Sequence, residues 1–114
     1  MSDLADRSCV PCRGGVPPLR GEALAQLRDA LGGGWSVEGE HHLTKEFRFA
    51  DFVHALALVN RIGAVAEAEG HHPDLELGWG RVAVKIFTHA IDGLAESDFV
   101  LAAKIDRVAN EGGE

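Results

Sequence analysis

The stretch Pro73-Asp74-Leu75-Glu76-Leu77-Gly78-Trp79-Gly80-Arg81-Val82-Ala83-Val84-Lys85-Ile86 changes the phase of its apolar residues partway along. Leu75, Leu77 and Trp79 alternate at odd positions, then Val82, Val84 and Ile86 alternate at even ones. A strand cannot change phase without a turn or a bulge, because successive side chains point to opposite faces. Gly78-Trp79-Gly80-Arg81 therefore reads as a tight hairpin turn between two antiparallel strands. Upstream, residues 41–49 place Leu43, Lys45, Phe47 and Phe49 on one face and His42, Thr44, Glu46 and Arg48 on the other. That alternation is expected of a half-buried strand. Glu38-Gly39-Glu40 suits a turn, and Trp35-Ser36-Val37 before it starts another extended stretch.

Helices separate these strand pairs. Asp51 is a good N-cap, and Phe52, Ala55, Leu56, Val59, Ile62 and Ala66 follow at spacings of three and four. This helix should end near Glu69, with Gly70 taking the left-handed conformation past its last turn. Leu24, Leu27 and Leu31 mark an earlier helix from Glu22, stopped by Gly32-Gly33-Gly34. Leu101, Ile105 and Val108 mark a last one, from about Glu96 to Asn110. The order helix, two strands, helix, two strands, helix makes the class α+β, with a single four-stranded antiparallel sheet and the three helices packed on one face. Residues 1–20, rich in Pro, Gly and polar side chains, read as an irregular N-terminal segment, and residues 21–114 as the one domain.

The 114 residues, 46% hydrophobic and 25% charged, have the composition of one ordinary globular domain. A net charge of −7 repels phosphate backbones and disfavours direct nucleic-acid binding. Apolar runs of about five residues, such as 55–59, fall far below the ~20 needed to span a bilayer. Met1-Ser2-Asp3-Leu4-Ala5-Asp6-Arg7 has no basic start or apolar stretch of a signal peptide, so a cytoplasmic location is expected. Cys9-x-x-Cys12 lies in the irregular segment, away from a βαβ pattern and from a second ligand pair. That context argues against a redox or zinc role.

Six histidines in so short a chain are unusual, and four of them form two adjacent pairs. Glu67-x-x-x-His71-His72-Pro73 stands where the middle helix gives way to a strand. Neighbouring histidines on a regular strand face apart, but Gly70 permits an unusual dihedral and Pro73 biases His72 toward extended backbone. Glu67, one turn before His71, can reach back to an imidazole. Thr88-His89 ends the fourth strand, and Asp98 follows at the opening of the last helix. Three readings fit this spacing: an acid–base site, a solvated polar turn, and a metal site built from His71, His72, His89 and Glu67. His41-His42 sits beside a turn that reads as solvated and receives no function. His54, beside the apolar stripe of its helix, reads as structural.

Residues 67–105 resemble the pterin-4a-carbinolamine dehydratases (4a-hydroxytetrahydrobiopterin dehydratases). The family signature is a Glu, three residues, then His-His-Pro. It continues through a hairpin to Thr-His at a strand end, Gly-Leu, and an Asp opening the final helix. Here the matching residues are Glu67, His71-His72-Pro73, Thr88-His89, Gly93-Leu94 and Asp98. Leu43-Thr44-Lys45-Glu46-Phe47-Arg48-Phe49, Asp51-Phe52 and the lead-in Cys9-x-x-Cys12-x-Gly14 are also similar to the family, so the resemblance covers nearly the whole chain.

The resemblance implies a four-stranded antiparallel sheet with three helices on one side, and assembly into homodimers or homotetramers. It implies removal of water from the 4a-hydroxytetrahydropterin left by aromatic amino-acid hydroxylases, giving quinonoid dihydropterin without a metal or redox cofactor. Under it, His71 and His89 are the acid–base pair in either order, and His72 hydrogen-bonds the substrate. Glu67 and Asp98 orient imidazoles. Gly70, Pro73, Trp79, Thr88 and Ala90 contact the pterin, although Trp79 equally suits a core or interface position. Histidine, with an unperturbed pKa of about 6.5, can serve as either acid or base near neutral pH. The family also contains non-catalytic members that act with a homeodomain transcription factor or in RuBisCO assembly, which is the alternative function. Two residues depart from the usual pattern. Gly70 replaces a frequent polar residue, and Ala95 replaces a Thr or Ser cap of the last helix, a cap worth roughly 1 kcal/mol.

Overall fold

The structure, a computed structural model, describes residues 4–7 and 17–111; Cys9, Cys12 and Gly14 lie outside these. Its elements are α1 (Gly21–Leu31), β1 (Ser36–Glu38), β2 (His42–Arg48), α2 (Phe52–Glu69), β3 (Asp74–Gly78), β4 (Arg81–Ile86) and α3 (Glu96–Glu111), with short 3-10 turns at Leu4–Asp6 and His89–Ile91. All strand pairs are antiparallel and the sheet order is β1-β2-β4-β3. The expected α+β class and element order are those observed. Among the described residues, no helix is long and apolar enough to cross a membrane.

The register explains the phase change. Val84 pairs with both Leu75 and Lys45, and Val82 with both Leu77 and Phe47, so alternate residues of three strands share a face. Leu43, Val82, Val84 and Ile86 on that face are buried, together with Leu58 and Ile62 of α2 and Phe99 and Ile105 of α3. The opposite face carries charges: Arg81 of β4 bridges Glu46 of β2 at 2.6 Å and Glu76 of β3 at 3.0 Å. The β3–β4 turn is the two residues Trp79-Gly80. Gly80 is required by close approach, since a Cβ there would stand 2.6 Å from the Phe49 carbonyl oxygen. Phe49 in turn donates its N–H to the Gly80 carbonyl at 2.8 Å.

Asp51 caps α2 as expected, with Oδ1 accepting from the His54 N–H at 3.0 Å and lying 2.6 Å from its Nδ1. The His54 amide and then its ring hold the Asp51 carboxyl below the usual carboxylate range. The segment read as a lead-in contributes to the core through Leu4, 1% exposed. Its turn is tied to α3 by Lys104 Nζ on the Ala5 carbonyl (2.9 Å) and by Arg107 with Asp6 (2.6 Å).

A second tie joins α3 to the sheet. Asp106 accepts from Trp35 Nε1 at 2.9 Å and from Lys45 Nζ at 2.8 Å, and the same Nζ lies 4.8 Å from the Phe47 ring centroid. Asp106→Ala strands a half-buried ammonium and an indole donor. We expect it to lower the unfolding free energy by about 2 kcal/mol, read as a reduced urea midpoint at unchanged slope.

Candidate active site

Asp98 organises the site. It is fully buried at the third position of α3, a helix whose preceding residue, Ala95, has no capping oxygen. Asp98 Oδ2 reaches back to the Ala95 N–H at 2.8 Å, the return arm of a capping box. The same oxygen accepts from Thr88 Oγ1 at 2.8 Å. Its other oxygen, Oδ1, lies 2.7 Å from His71 Nε2. A buried carboxylate needs such donors to offset its lost hydration. Because an ionised carboxylate only accepts, this network assigns a proton to Nε2 of His71 and leaves Nδ1 to face away from Asp98.

The helix end places His71. Gly70 takes φ 67°, ψ 26°, the left-handed conformation expected of it. The amides of Gly70 and His71 both donate to the Ala66 carbonyl, so α2 stops and the chain turns before Pro73. The two neighbouring imidazoles then diverge. The His71 side chain is 18% exposed and points to Asp98, whereas that of His72 is 58% exposed, with Nε2 2.6 Å from Glu67 Oε2. Each histidine thus has its own carboxylate: Glu67 serves His72, and Asp98 serves His71.

His89 begins the 3-10 turn after β4. A Thr88–Gly93 bridge closes this turn, with N–H to O distances of 2.8 and 3.3 Å. Gly93 is needed because a Cβ there would lie 2.6 Å from Pro18 Cβ, and Leu19 donates to the Leu94 carbonyl next to it at 2.8 Å. His89 and Ala90 are exposed, and the His89 ring lies 4.2 Å from Phe87, centroid to centroid. Asp98, touching both His71 and the residue before His89, brings together the ends of α2 and β4 and the start of α3. Trp79 is not brought there. It is 71% exposed in the hairpin at the other end of β3, about 17 Å or more along the strand from Pro73.

His41 and His42, read from the sequence as a solvated turn, are half-buried beside His89's turn. His41 lies 4.6 Å from the Phe87 ring, its Nε2 is 2.7 Å from Asp92 Oδ1, and its Nδ1 is 3.1 Å from His42 Nδ1. The missing signal was strand register: His42 is one step beyond the Leu43–Ile86 pair, which sets residues 41 and 42 against Phe87. Among the described residues, no three His, Cys, Asp or Glu side chains are grouped as a metal ion would need.

Burial, then the positive charge of Lys85, then His41 hold His42 below the ordinary histidine range. A histidine kept neutral in the fold but protonated in the unfolded chain removes stability as pH falls below about 6.5. His42→Gln is therefore expected to flatten the fall of melting temperature between about pH 7.5 and 5.5, measured by scanning calorimetry.

The family model for pterin 4 alpha carbinolamine dehydratase matches residues 17–108. A protein of Rubrobacter xylanophilus, provisionally named a pterin-4-alpha-carbinolamine dehydratase, is 58% identical over 95% of this chain and 100% of its own length. One from Alkaliphilus metalliredigens, under the same provisional name, is 49% identical over 97% of this chain and 100% of its own. The crystal structure of a transcriptional coactivator/pterin dehydratase from Brucella melitensis superposes with a TM-score of 0.74, at 31% identity, over 81% of this chain and 98% of that one. A pterin dehydratase-like protein identified as a RuBisCO assembly factor in the alpha-carboxysome shares the fold, with a TM-score of 0.59 and 23% identity over 69% of this chain and 93% of its own.

Proposed function

Because the chain belongs to the pterin-4a-carbinolamine dehydratase family, we propose that it dehydrates 4a-hydroxytetrahydrobiopterin to the quinonoid dihydropterin by histidine acid–base catalysis. The reaction breaks the C4a–O bond, which needs a proton on the departing hydroxyl. It forms a C4a=N5 double bond, which needs the N5 proton to leave. Water and the quinonoid ring are the products, and the electron count is unchanged. An acid and a base on the two sides of a flat ring meet both needs.

The observation that carries this reading is the buried Asp98 carboxylate, bonded at once to His71 Nε2 and to Thr88, next to His89. A carboxylate on one ring nitrogen fixes the tautomer and leaves the other nitrogen basic. This suits His71 to take the N5 proton and His89 to supply the proton to the hydroxyl. His72, steadied by Glu67, would hydrogen-bond the pterin. Gly70, Pro73, Thr88 and Ala90 would line the ring. This work would fall to the protein in the cytoplasm, downstream of an aromatic amino-acid hydroxylase.

A homodimer or homotetramer fits two features. Phe52, Val53 and Leu56 expose apolar surface at the start of α2, and β3 is an edge strand. A second copy paired antiparallel along β3 would carry its Trp79 toward the first copy's Pro73, which is how Trp79 would reach a pterin. A non-catalytic partner role, with RuBisCO or a transcription factor, is the second reading. It is favoured by the coactivator and RuBisCO assembly roles attached to the two solved structures described above. Titrating the protein with 7,8-dihydrobiopterin, followed by NMR of the imidazole C–H signals, tests the assignment. The signals of His71, His72 and His89 are expected to shift together. Saturable binding that leaves all three unmoved would refute it.

A further inference from the structure

Among the described residues, two of the three imidazoles assigned above are anchored by carboxylates, and the third is not. His71 has Asp98 and His72 has Glu67. Among the described residues, the His89 ring contacts instead the Phe87 ring, with centroids 4.2 Å apart and planes 38° apart. Phe87 in turn contacts the His41 ring at 4.6 Å and 40°. His41 is fixed at both nitrogens, by Asp92 at 2.7 Å and by His42 at 3.1 Å.

Asp92 belongs to the turn that carries His89, since its N–H donates to the His89 carbonyl at 3.2 Å. It holds a left-handed conformation, φ 50° and ψ 50°, that a residue with a side chain rarely adopts. His41 therefore grips this turn at two points: through Phe87 against the His89 ring, and through Asp92 at the far end of the turn. His42, kept neutral with its proton on Nδ1, can donate to His41 Nδ1 while His41 Nε2–H donates to Asp92. Each ring in the relay then has one defined tautomer.

We infer that His41 is a positioning residue for His89, acting through Phe87 and Asp92 where, among the described residues, no carboxylate holds the His89 ring. The inference rests on the reading of His89 as an acid–base group. An exposed imidazole on a short turn would otherwise sample several rotamers, and looseness at a proton-transfer group costs rate more than affinity.

Steady-state kinetics on 4a-hydroxytetrahydropterin test it. His41→Ala is expected to lower kcat about tenfold with KM within about twofold of wild type. His41→Phe, which keeps a ring against Phe87, should recover part of that loss. Asp92→Gly removes the grip on His41 while suiting the left-handed backbone. It should lower kcat severalfold with an equal or higher melting temperature, a pairing that a merely structural role would not give. In a His89→Ala background, His41→Ala should cause no further loss, because its target is gone. The His89 C–H signals should also move in His41→Ala without substrate. If His89→Ala is impaired while His41→Ala and Asp92→Gly match wild type, or if the His41 and His89 losses multiply in the double variant, the positioning role is wrong. If His89→Ala keeps full turnover, the reading of the site fails, and the positioning role fails with it.

Discussion

His71→Ala and His89→Ala are each expected to slow dehydration by about 100-fold or more while the protein stays folded. A hydroxyl leaves poorly unless it is protonated as it departs, and N5 must lose its proton for the double bond to form. Removing either imidazole hands one of these transfers to water. Both side chains can be truncated without opening the core. His89 lies on an exposed turn, and His71 is outside the buried cluster of Leu58, Ile62, Phe99 and Ile105. The measurement is kcat/KM on the 4a-carbinolamine, with circular dichroism to verify the fold. A loss of less than about fivefold in both variants contradicts the acid–base assignment.

Asp98→Asn is expected to separate stability from activity. Oδ2 accepts from both Thr88 Oγ1 and the Ala95 N–H, so the amide oxygen of Asn should take that position. The amide nitrogen then faces His71 Nε2, where Oδ1 stood at 2.7 Å. Since that nitrogen can only donate, His71 must accept at Nε2 and carry its proton on Nδ1. The basic nitrogen now points into the protein and the protonated one toward the substrate. We expect about 100-fold or greater loss of kcat with a stability loss of roughly 1–2 kcal/mol. Asp98→Ala leaves the Thr88, Ala95 and His71 donors unpaired in the interior, and should cost roughly 3–5 kcal/mol as well as activity. Urea melts of the two variants beside their turnover numbers check both halves. An Asn variant with wild-type turnover contradicts the tautomer argument.

The fold was largely legible because its signals are local. The phase change around Trp79-Gly80, the Asp51 cap and the left-handed Gly70 each follow from a few adjacent residues and are all observed. The site was legible in part. Its imidazoles follow from spacing and resemblance, but the pairing of carboxylates did not. Glu67 sits one turn before His71 in the sequence yet holds His72, because the left-handed Gly70 rotates the chain between them. The Ala95 N–H bond by which Asp98 caps α3 is local, but the bonds that Thr88 and His71 bring to the same carboxylate come from other elements and leave no local trace. His41 and His42 looked solvated because their neighbours Phe87 and Asp92 lie about fifty residues away, and only strand register joins them. Trp79 looked like a substrate contact by resemblance, whereas the length of β3 holds it away from Pro73 within one chain.

Whether imidazoles of this chain catalyse dehydration of a pterin carbinolamine is decided by stopped-flow absorbance of freshly generated 4a-hydroxytetrahydrobiopterin, recorded against increasing protein concentration. The first-order decay should rise in proportion to wild-type protein and should stay at the spontaneous rate with the His71→Ala/His89→Ala double variant. A decay unchanged by wild-type protein, or accelerated equally by the double variant, contradicts such catalysis.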